Sequence, residues 1–274
     1  MTFINPKTDF AFKKIFGSKK SKEILISFLN AILYQEREII QDLEILDPYQ
    51  SPRIQGIKDS YLDVKAVITG NKTVIIEMQV LNVLGFEKRV LYNAAQAFSI
   101  QLGVGEDYNL LNPVIALTIT DFEMFPNNAK IISRYCLKEK ETLTDYTDDI
   151  ELVFVELPKF NKTLEESESL TDKWLYFLKF ANTLKDVPQT MATIPPLKQA
   201  FTIARQSKLT KRELEALEKR EIFIQDSQNA ICKAKLDGMR EKAIAIAREL
   251  LDVLDIETIS QKTGLSIAKI QELT

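Results

Sequence analysis

The chain has 274 residues, 45% of them apolar and 27% charged, with a formal net charge of −3. That is enough to bury one large core with an appendage, and too evenly charged for a uniformly basic sleeve around nucleic acid. There is no histidine, which excludes a Ser-His-Asp triad, a Cys-His pair, a histidine-ligated zinc and a histidine general base.

Any catalysis must therefore run on carboxylates, amides, lysines or tyrosines. Cys136 and Cys232 are far apart and form no CxxC pair, so a reduced, cytoplasmic setting is expected. No apolar run approaches the ~18 residues of a membrane span, and no charged-then-apolar leader opens the chain. A soluble protein without a membrane partner is expected.

In chain order, Thr8-Asp9 is a capping signal for a short helix with Phe10, Phe12, Ile15 and Phe16 on its apolar side. Asp9 either caps that helix or adds an acidic group to a polar face elsewhere. A second helix follows, with Ile24, Leu25, Phe28, Leu29 and Ile32 at helical spacing. From Asp42 the run DLEILDPY reads as a strand, and a Pro/Gly-containing irregular segment separates it from the next stretch.

That stretch, Tyr61 to Val80, reads as two strands around a turn at Gly70-Asn71. Leu62, Val64, Ala66, Ile68, Val74, Ile76, Met78 and Val80 are all even-numbered, whereas Asp63, Lys65, Glu77 and Gln79 are odd. Alternate residues share a face, so the four polar groups lie together and the even residues face a core. A two-residue loop would oppose even to odd and split the core face, so the loop has odd length or carries a bulge. Two registers satisfy this. One sets Lys65 against Glu77 and Asp63 against Gln79; the other sets Asp63 against Glu77. In the second, two facing carboxylates repel unless a proton or cation lies between them, and a divalent metal would supply the cation. In the first, the same residues make a solvated face with a Lys65–Glu77 pair worth well under about 1 kcal/mol.

After Gly85 the run EKRVLYNAAQAFSIQL predicts a helix with a core stripe at Val90, Leu91, Ala94, Ala95, Phe98 and Leu102. Arg89, Tyr92 and Gln96 stand at i, i+3 and i+7 on another side. NPVIALTITDF predicts a fully buried strand, and ISRYCLKEK and ELVFVELPKF two more. The helix, strand, hairpin, helix, strand order predicts an α/β or α+β sandwich, with helices flanking a mixed central sheet. Beyond Pro158 the pattern is helical: LTDKWLYFLKFANTL, a break at Ile194-Pro195-Pro196, a Thr210/Glu213 capping box, an amphipathic segment from Ala243 to Leu254, and two short helices around Gly264. The last pair offers Lys269 but no arginine, which favours packing or dimerisation over base reading.

DFAFKKIFG near the start, Asp63 with Glu77-Met78-Gln79 in the hairpin, Arg89-x-x-Tyr92-x-x-x-Gln96 in the next helix, and DKWLYFL together resemble the recombination-promoting nuclease / putative transposase family of the PD-(D/E)XK superfamily. The resemblance covers roughly residues 5 to 185. It implies a restriction-endonuclease-like core over 1–190, with an α-helical C-terminal region over 191–274. It also implies a Mg2+-dependent DNA endonuclease, with Mn2+ as a substitute, associated with recombination or transposition. The metal would be held by Asp63 and Glu77, with Asp9 completing the acidic cluster and the Met78 or Gln79 carbonyl as a further ligand. Arg89, Tyr92 and Gln96 would lie beside the scissile phosphate. Leu62 stands where the pattern has proline and Gln79 where it has lysine. Glutamine orients water only by hydrogen bonding, so Lys65, on the same face, is the candidate for the missing catalytic cation. The alternative function is an inactive nuclease-fold module that binds DNA or a partner. A homodimer through the helical C-terminal region fits cleavage of two strands.

Overall fold

The computed structural model describes residues 3–50 and 60–273. Most of the irregular Pro/Gly segment lies outside the described residues. The elements are α1 (Asp9–Phe16), α2 (Lys22–Tyr34), β1 (Leu43–Leu46), β2 (Tyr49–Gln50), β3 (Ser60–Tyr61), β4 (Val64–Ile68), β5 (Lys72–Gln79), α3 (Phe86–Ser99), β6 (Val114–Thr120), β7 (Ile132–Lys138), β8 (Asp145–Glu156), α4 (Leu170–Phe180), α5 (Gln189–Ala192), α6 (Pro195–Ala204), α7 (Lys211–Leu250), α8 (Ile256–Thr263) and α9 (Ile267–Gln271).

A six-stranded mixed sheet has the order β1-β4-β5-β6-β8-β7. β5, β6 and β8 run parallel, and the outer pairings are antiparallel. On one face, Val64, Ala66, Ile68, Val74, Ile76 and Met78 pack with Phe12, Phe16, Phe28, Trp174 and Phe201 in the main core. The other face is covered by α3, whose Ala94 and Ala97 meet Ile75, Val114 and Ala116, and whose Phe86 and Val90 meet Phe154. Every residue of β6 is buried because helices cover both of its faces. This is the sandwich that the element order predicts.

The hairpin resolves its own ambiguity. Ile68 pairs with Lys72, leaving Thr69-Gly70-Asn71 as a three-residue loop. Gly70 and Asn71 both have positive φ (81° and 59°), the backbone region that glycine and asparagine tolerate best. The odd length keeps even against even: Val64 lies opposite Ile76 and Ala66 opposite Val74. The first strand is shorter than the alternation suggests. Tyr61 belongs to β3, paired with Tyr49, and Asp63 sits in a bend just ahead of β4.

Three expectations need correction. The inward stripe of α3 is Phe86, Val90, Asn93, Ala94, Gln96 and Ala97, while Leu91 and Ala95 are exposed. Apolarity alone misplaced the face, since Asn93 and Gln96 turn inward. Pro195-Pro196 opens a helix instead of only breaking the chain, because proline lacks an N–H that the first turn does not need. Leu197, Ala200, Phe201 and Ala204 of that helix, α6, lie in the main core. The charged helix after Thr210 and the segment from Ala243 are one 40-residue helix, α7. The capping box does open it: Thr210 N–H donates to Glu213 Oε2 (2.8 Å) and Glu213 N–H to Thr210 Oγ1 (3.3 Å).

Two compact units result, 1–221 and 222–274. Within the second, Ala247, Ile259 and Ile270 form a small core with Leu250, Ile256 and Leu265. The two short terminal helices thus spend their apolar faces on the end of α7.

A buried polar network ties down the turn after β6. Glu156 is fully buried at the end of β8 and accepts from the N–H groups of Met124 (2.6 Å) and Phe125 (3.0 Å). Lys159 donates to Glu156, to Phe125 O (2.8 Å) and to Asn128 O (2.6 Å). Removing one partner of such a pair strands the other. Glu156→Ala should cost about 3–5 kcal/mol in urea unfolding, and a loss under 1 kcal/mol would mean water replaces the carboxylate.

Candidate active site

The pairing of β4 with β5 ends at Val64 and Ile76, and Asp63, in the bend just ahead, has the Glu77 charge as a neighbour. Asp63 N–H donates to Ile76 O (3.2 Å), and Met78 N–H returns a bond to Asp63 Oδ2 (2.7 Å). The bend before β4 and the middle of β5 therefore clasp the Asp63 side chain. Its other oxygen, Oδ1, lies 3.4 Å from Lys13 Nζ, which also pairs with Asp9 Oδ1 at 2.8 Å. Thr8 caps α1 by accepting from Ala11 N–H (3.3 Å), so Asp9 occupies the first turn and Lys13 lies one turn on, toward the sheet.

Glu77 is held from the α3 side. Arg89 Nη2 pairs with Glu77 Oε1 (2.7 Å) and also donates to Gln79 Oε1 (2.8 Å), while Asn93 Nδ2 donates to Glu77 Oε2 (3.3 Å). Arg89 and Asn93 are four apart and so rise from one helix face. The carboxylates form a floor and the cations a rim. The side chains of Asp63 and Glu77 are 11% and 16% exposed, against 42% for Lys13 and 39% for Arg89.

This arrangement perturbs the acids. Burial pushes the Asp63 carboxyl up to about 6; the Met78 N–H and Lys13 oppose the rise, and the neighbouring Asp9 and Glu77 charges add to it. Burial also raises Glu77, against the pull of Arg89 and Asn93. Burial works to lower the Lys13 ammonium, but its pairs with Asp9 and Asp63 outweigh that and its pKa is raised. Burial is thus what makes both acids reluctant to ionise, and each keeps one cation close by.

Not every residue singled out from the sequence converges here. Asp63, Glu77 and Arg89 do, and Gln79 is joined to them only by the bond its Oε1 accepts from Arg89. Asp9 reaches the floor only through Lys13, and among the described residues no three acidic groups gather closely enough to hold a metal ion. Gln79 turns away, its Nε2 donating to Leu81 O (2.6 Å), and its main-chain carbonyl accepts from Asp121 N–H (3.0 Å). Lys65 lines a separate open groove with Val67, Asn71, Thr73, Gln101 and Asn112. Its ammonium, lowered by burial, has Asp47 as its charged neighbour. Tyr92 is exposed on the outer side of α3, and Gln96 is buried beneath it with neither amide atom hydrogen-bonded.

Two residues went unremarked in the sequence. Lys13 is four residues past Asp9 and Asn93 four past Arg89, the spacing at which helical side chains meet. Applied to each charged residue, that rule would have raised both.

Two carboxylates from neighbouring strands are hard oxygen donors, the type that Mg2+ and Mn2+ prefer. Two neighbouring carboxylates, both largely withdrawn from water, fit such a cation. A family model for PD-(D/E)XK nuclease family transposases matches residues 6–234. No curated protein and no solved structure matches the chain.

The raised Asp63 carboxyl has a consequence for stability. A group more readily protonated in the folded state than in the unfolded state costs stability while ionised. Its penalty is full above pH 6 and is relieved as pH falls from about 6 toward the ordinary aspartate value of 3.8. In buffer free of divalent cations, Asp63→Asn should therefore raise the melting temperature at pH 7.5 by about 3 °C. The gain should shrink at pH 4. A lower melting temperature at pH 7.5 would mean that Lys13 and Met78 repay the burial in full.

Proposed function

This chain belongs to the PD-(D/E)XK nuclease family of transposases, and from that membership we propose that it is a metal-dependent DNA endonuclease that hydrolyses phosphodiester bonds during recombination or transposition. The observation that carries the reading is a pair of neighbouring buried carboxylates, Asp63 and Glu77, with Lys13 and Arg89 as their cations at the rim. Asp63 and Glu77 would hold Mg2+, or Mn2+ in its place. When bound, the ion supplies charge neutralisation at the phosphate and a more acidic water.

The chain's own residues do the rest. Met78 N–H and the Ile76 carbonyl fix Asp63 at the strand edge, and Asn93 orients Glu77. Arg89 spends one nitrogen, Nη2, on Glu77 and Gln79. Its guanidinium carries five N–H donors, so others remain for a phosphate oxygen at the rim. Lys13 takes the part that reasoning from the sequence gave to Lys65, because its ammonium already lies beside Asp63. A fixed positive charge there favours hydroxide over water as the attacking species. Lys65 and Tyr92 remain candidates for contact with DNA away from the reacting atoms, whereas Gln96 is buried and does not. The free, exposed cysteines accord with a reducing, cytoplasmic setting, and among the described residues no helix is long and apolar enough to cross a membrane. Cutting two strands suits a homodimer.

One observation favours a second reading, a binding module that keeps the fold without the chemistry. Gln79 stands in the lysine position, and its amide is committed to Leu81 and Arg89.

Plasmid nicking separates the two. With Mg2+ the wild-type chain should nick, and Asp63→Ala and Glu77→Ala should each lower the rate by at least ~10³-fold with DNA binding retained. Lys13→Ala should cost ~10²-fold or more, and Lys65→Ala less than tenfold. Absence of cleavage by the wild type with Mg2+ and with Mn2+, alongside retained DNA binding, establishes the second reading. Unchanged nicking by Lys13→Ala removes that lysine from the mechanism.

A further inference from the structure

Helix α7 is about 60 Å long at 1.5 Å per residue. Leu217 and Ala247 are buried near its ends, but no residue from 218 to 246 is. Within that span Ile222, Leu236 and Met239 are 61%, 60% and 61% exposed. A helix gains most of its stability in a protein from packing an apolar face, so a span of 29 residues with none of them buried calls for a partner.

The sequence of the span says what kind. Ile222, Gln225, Asn229, Cys232, Leu236, Met239, Ala243 and Ile246 follow one another at alternating steps of three and four, the seam of a two-stranded coiled coil. Gln225 Nε2 donates to Asn229 Oδ1 (3.1 Å) within this seam, so its polar part is locally satisfied. Charges beside the seam are segregated except at Lys219. Glu221 and Asp226 flank the first half, and Lys233, Lys235, Arg240 and Lys242 the second.

That segregation chooses the orientation. Two parallel copies would set Glu221 against Asp226 of the other copy and Lys235 against its Arg240, like on like. Two antiparallel copies centred between residues 230 and 231 would set Glu221 against Lys242 and Asp226 against Lys233, each pair occurring twice. The same register stacks Ile222 on Met239, Gln225 on Leu236 and Asn229 on Cys232. Lys219 against Arg240 is the one like-charged combination it makes.

We propose that residues 218–243 of α7 form an antiparallel coiled coil with a second copy of this chain. The two terminal helices, favoured from the sequence as the dimerising unit, have Ile256, Ile259 and Ile270 occupied in their own small core and only Ile267 of their isoleucines exposed; the open seam is on the long helix. This assignment rests on α7 alone and is independent of the nuclease reading.

The test is the mass of the full chain by analytical ultracentrifugation at tens of micromolar, with helicity followed by circular dichroism. The wild type should be a dimer and Leu236→Glu a monomer of unchanged helical content. Lys242→Glu places two acids opposite two acids and should weaken the dimer about tenfold. Adding Glu221→Lys to Lys242→Glu restores the opposite-charge pairs and should restore the wild-type dissociation constant. A monomeric wild type overturns the proposal and leaves an acidic partner helix as the occupant. A dimer that survives Leu236→Glu, or one in which the double swap is no tighter than the single, overturns the seam or its orientation. Loss of nicking bears on none of these outcomes.

Discussion

A loop of three residues decides where the two acids stand. With Thr69, Gly70 and Asn71 between β4 and β5, residues of like parity face one another and Val64, Ala66, Ile68, Val74, Ile76 and Met78 fall on the main core. The same register turns Glu77 toward α3 on the opposite face, while the bend before β4 puts Leu62 in the α3-side core and leaves Asp63 beside Lys13, with Glu77 as a charged neighbour. A hairpin with one residue fewer would turn half of its core outward. The acid pair is therefore a by-product of the register that the core demands, and the core secures it more firmly than any contact between the acids.

Around that pair the two layers of helices act differently. α1 comes from the main-core side and delivers Lys13, with Asp9 behind it, to the sheet edge at Asp63. α3 packs on the opposite face and delivers Arg89 and Asn93 to Glu77. Each acid is thus balanced by a cation from a different layer, and the cations are more exposed than the acids. An anion approaching from solvent meets positive charge first, whereas a cation binding below it meets carboxylates that burial has made reluctant to ionise. The protein supplies fixed charges there instead of a titrating histidine, of which it has none.

The second compact unit follows a different economy. Its short helices bury their few apolar residues on the end of α7, while the middle of α7 keeps an apolar stripe in solvent and sorts its charges by half. Sorted charge of this type contributes little to one helix alone, since opposite signs lie too far apart along the axis to pair. Its value appears when a second helix runs the other way.

Much of this was legible beforehand, and the exceptions have physical causes. The absence of histidine, the even and odd division of the hairpin, the buried β6 and the capping box at Thr210 are local properties, set by residue chemistry and by the two-residue repeat of a strand. From them followed the sandwich and a polar face holding Asp63, Lys65, Glu77 and Gln79; Arg89 was assigned to that site only by the family resemblance. The sequence alone left two registers open, because both preserve parity; only the loop geometry, with Gly70 and Asn71 in left-handed conformations, separated them. It misjudged α3, where Asn93 and Gln96 turn inward against apolar expectation, and it chose Lys65 over Lys13. Lys65 is two residues from Asp63 along the chain, but Lys13 is the neighbour in space, and an ammonium acts through distance in space. Which cation meets which acid depends on how α1 and α3 settle on opposite faces of the sheet. Packing between segments remote in sequence sets that placement, and no local pattern encodes it.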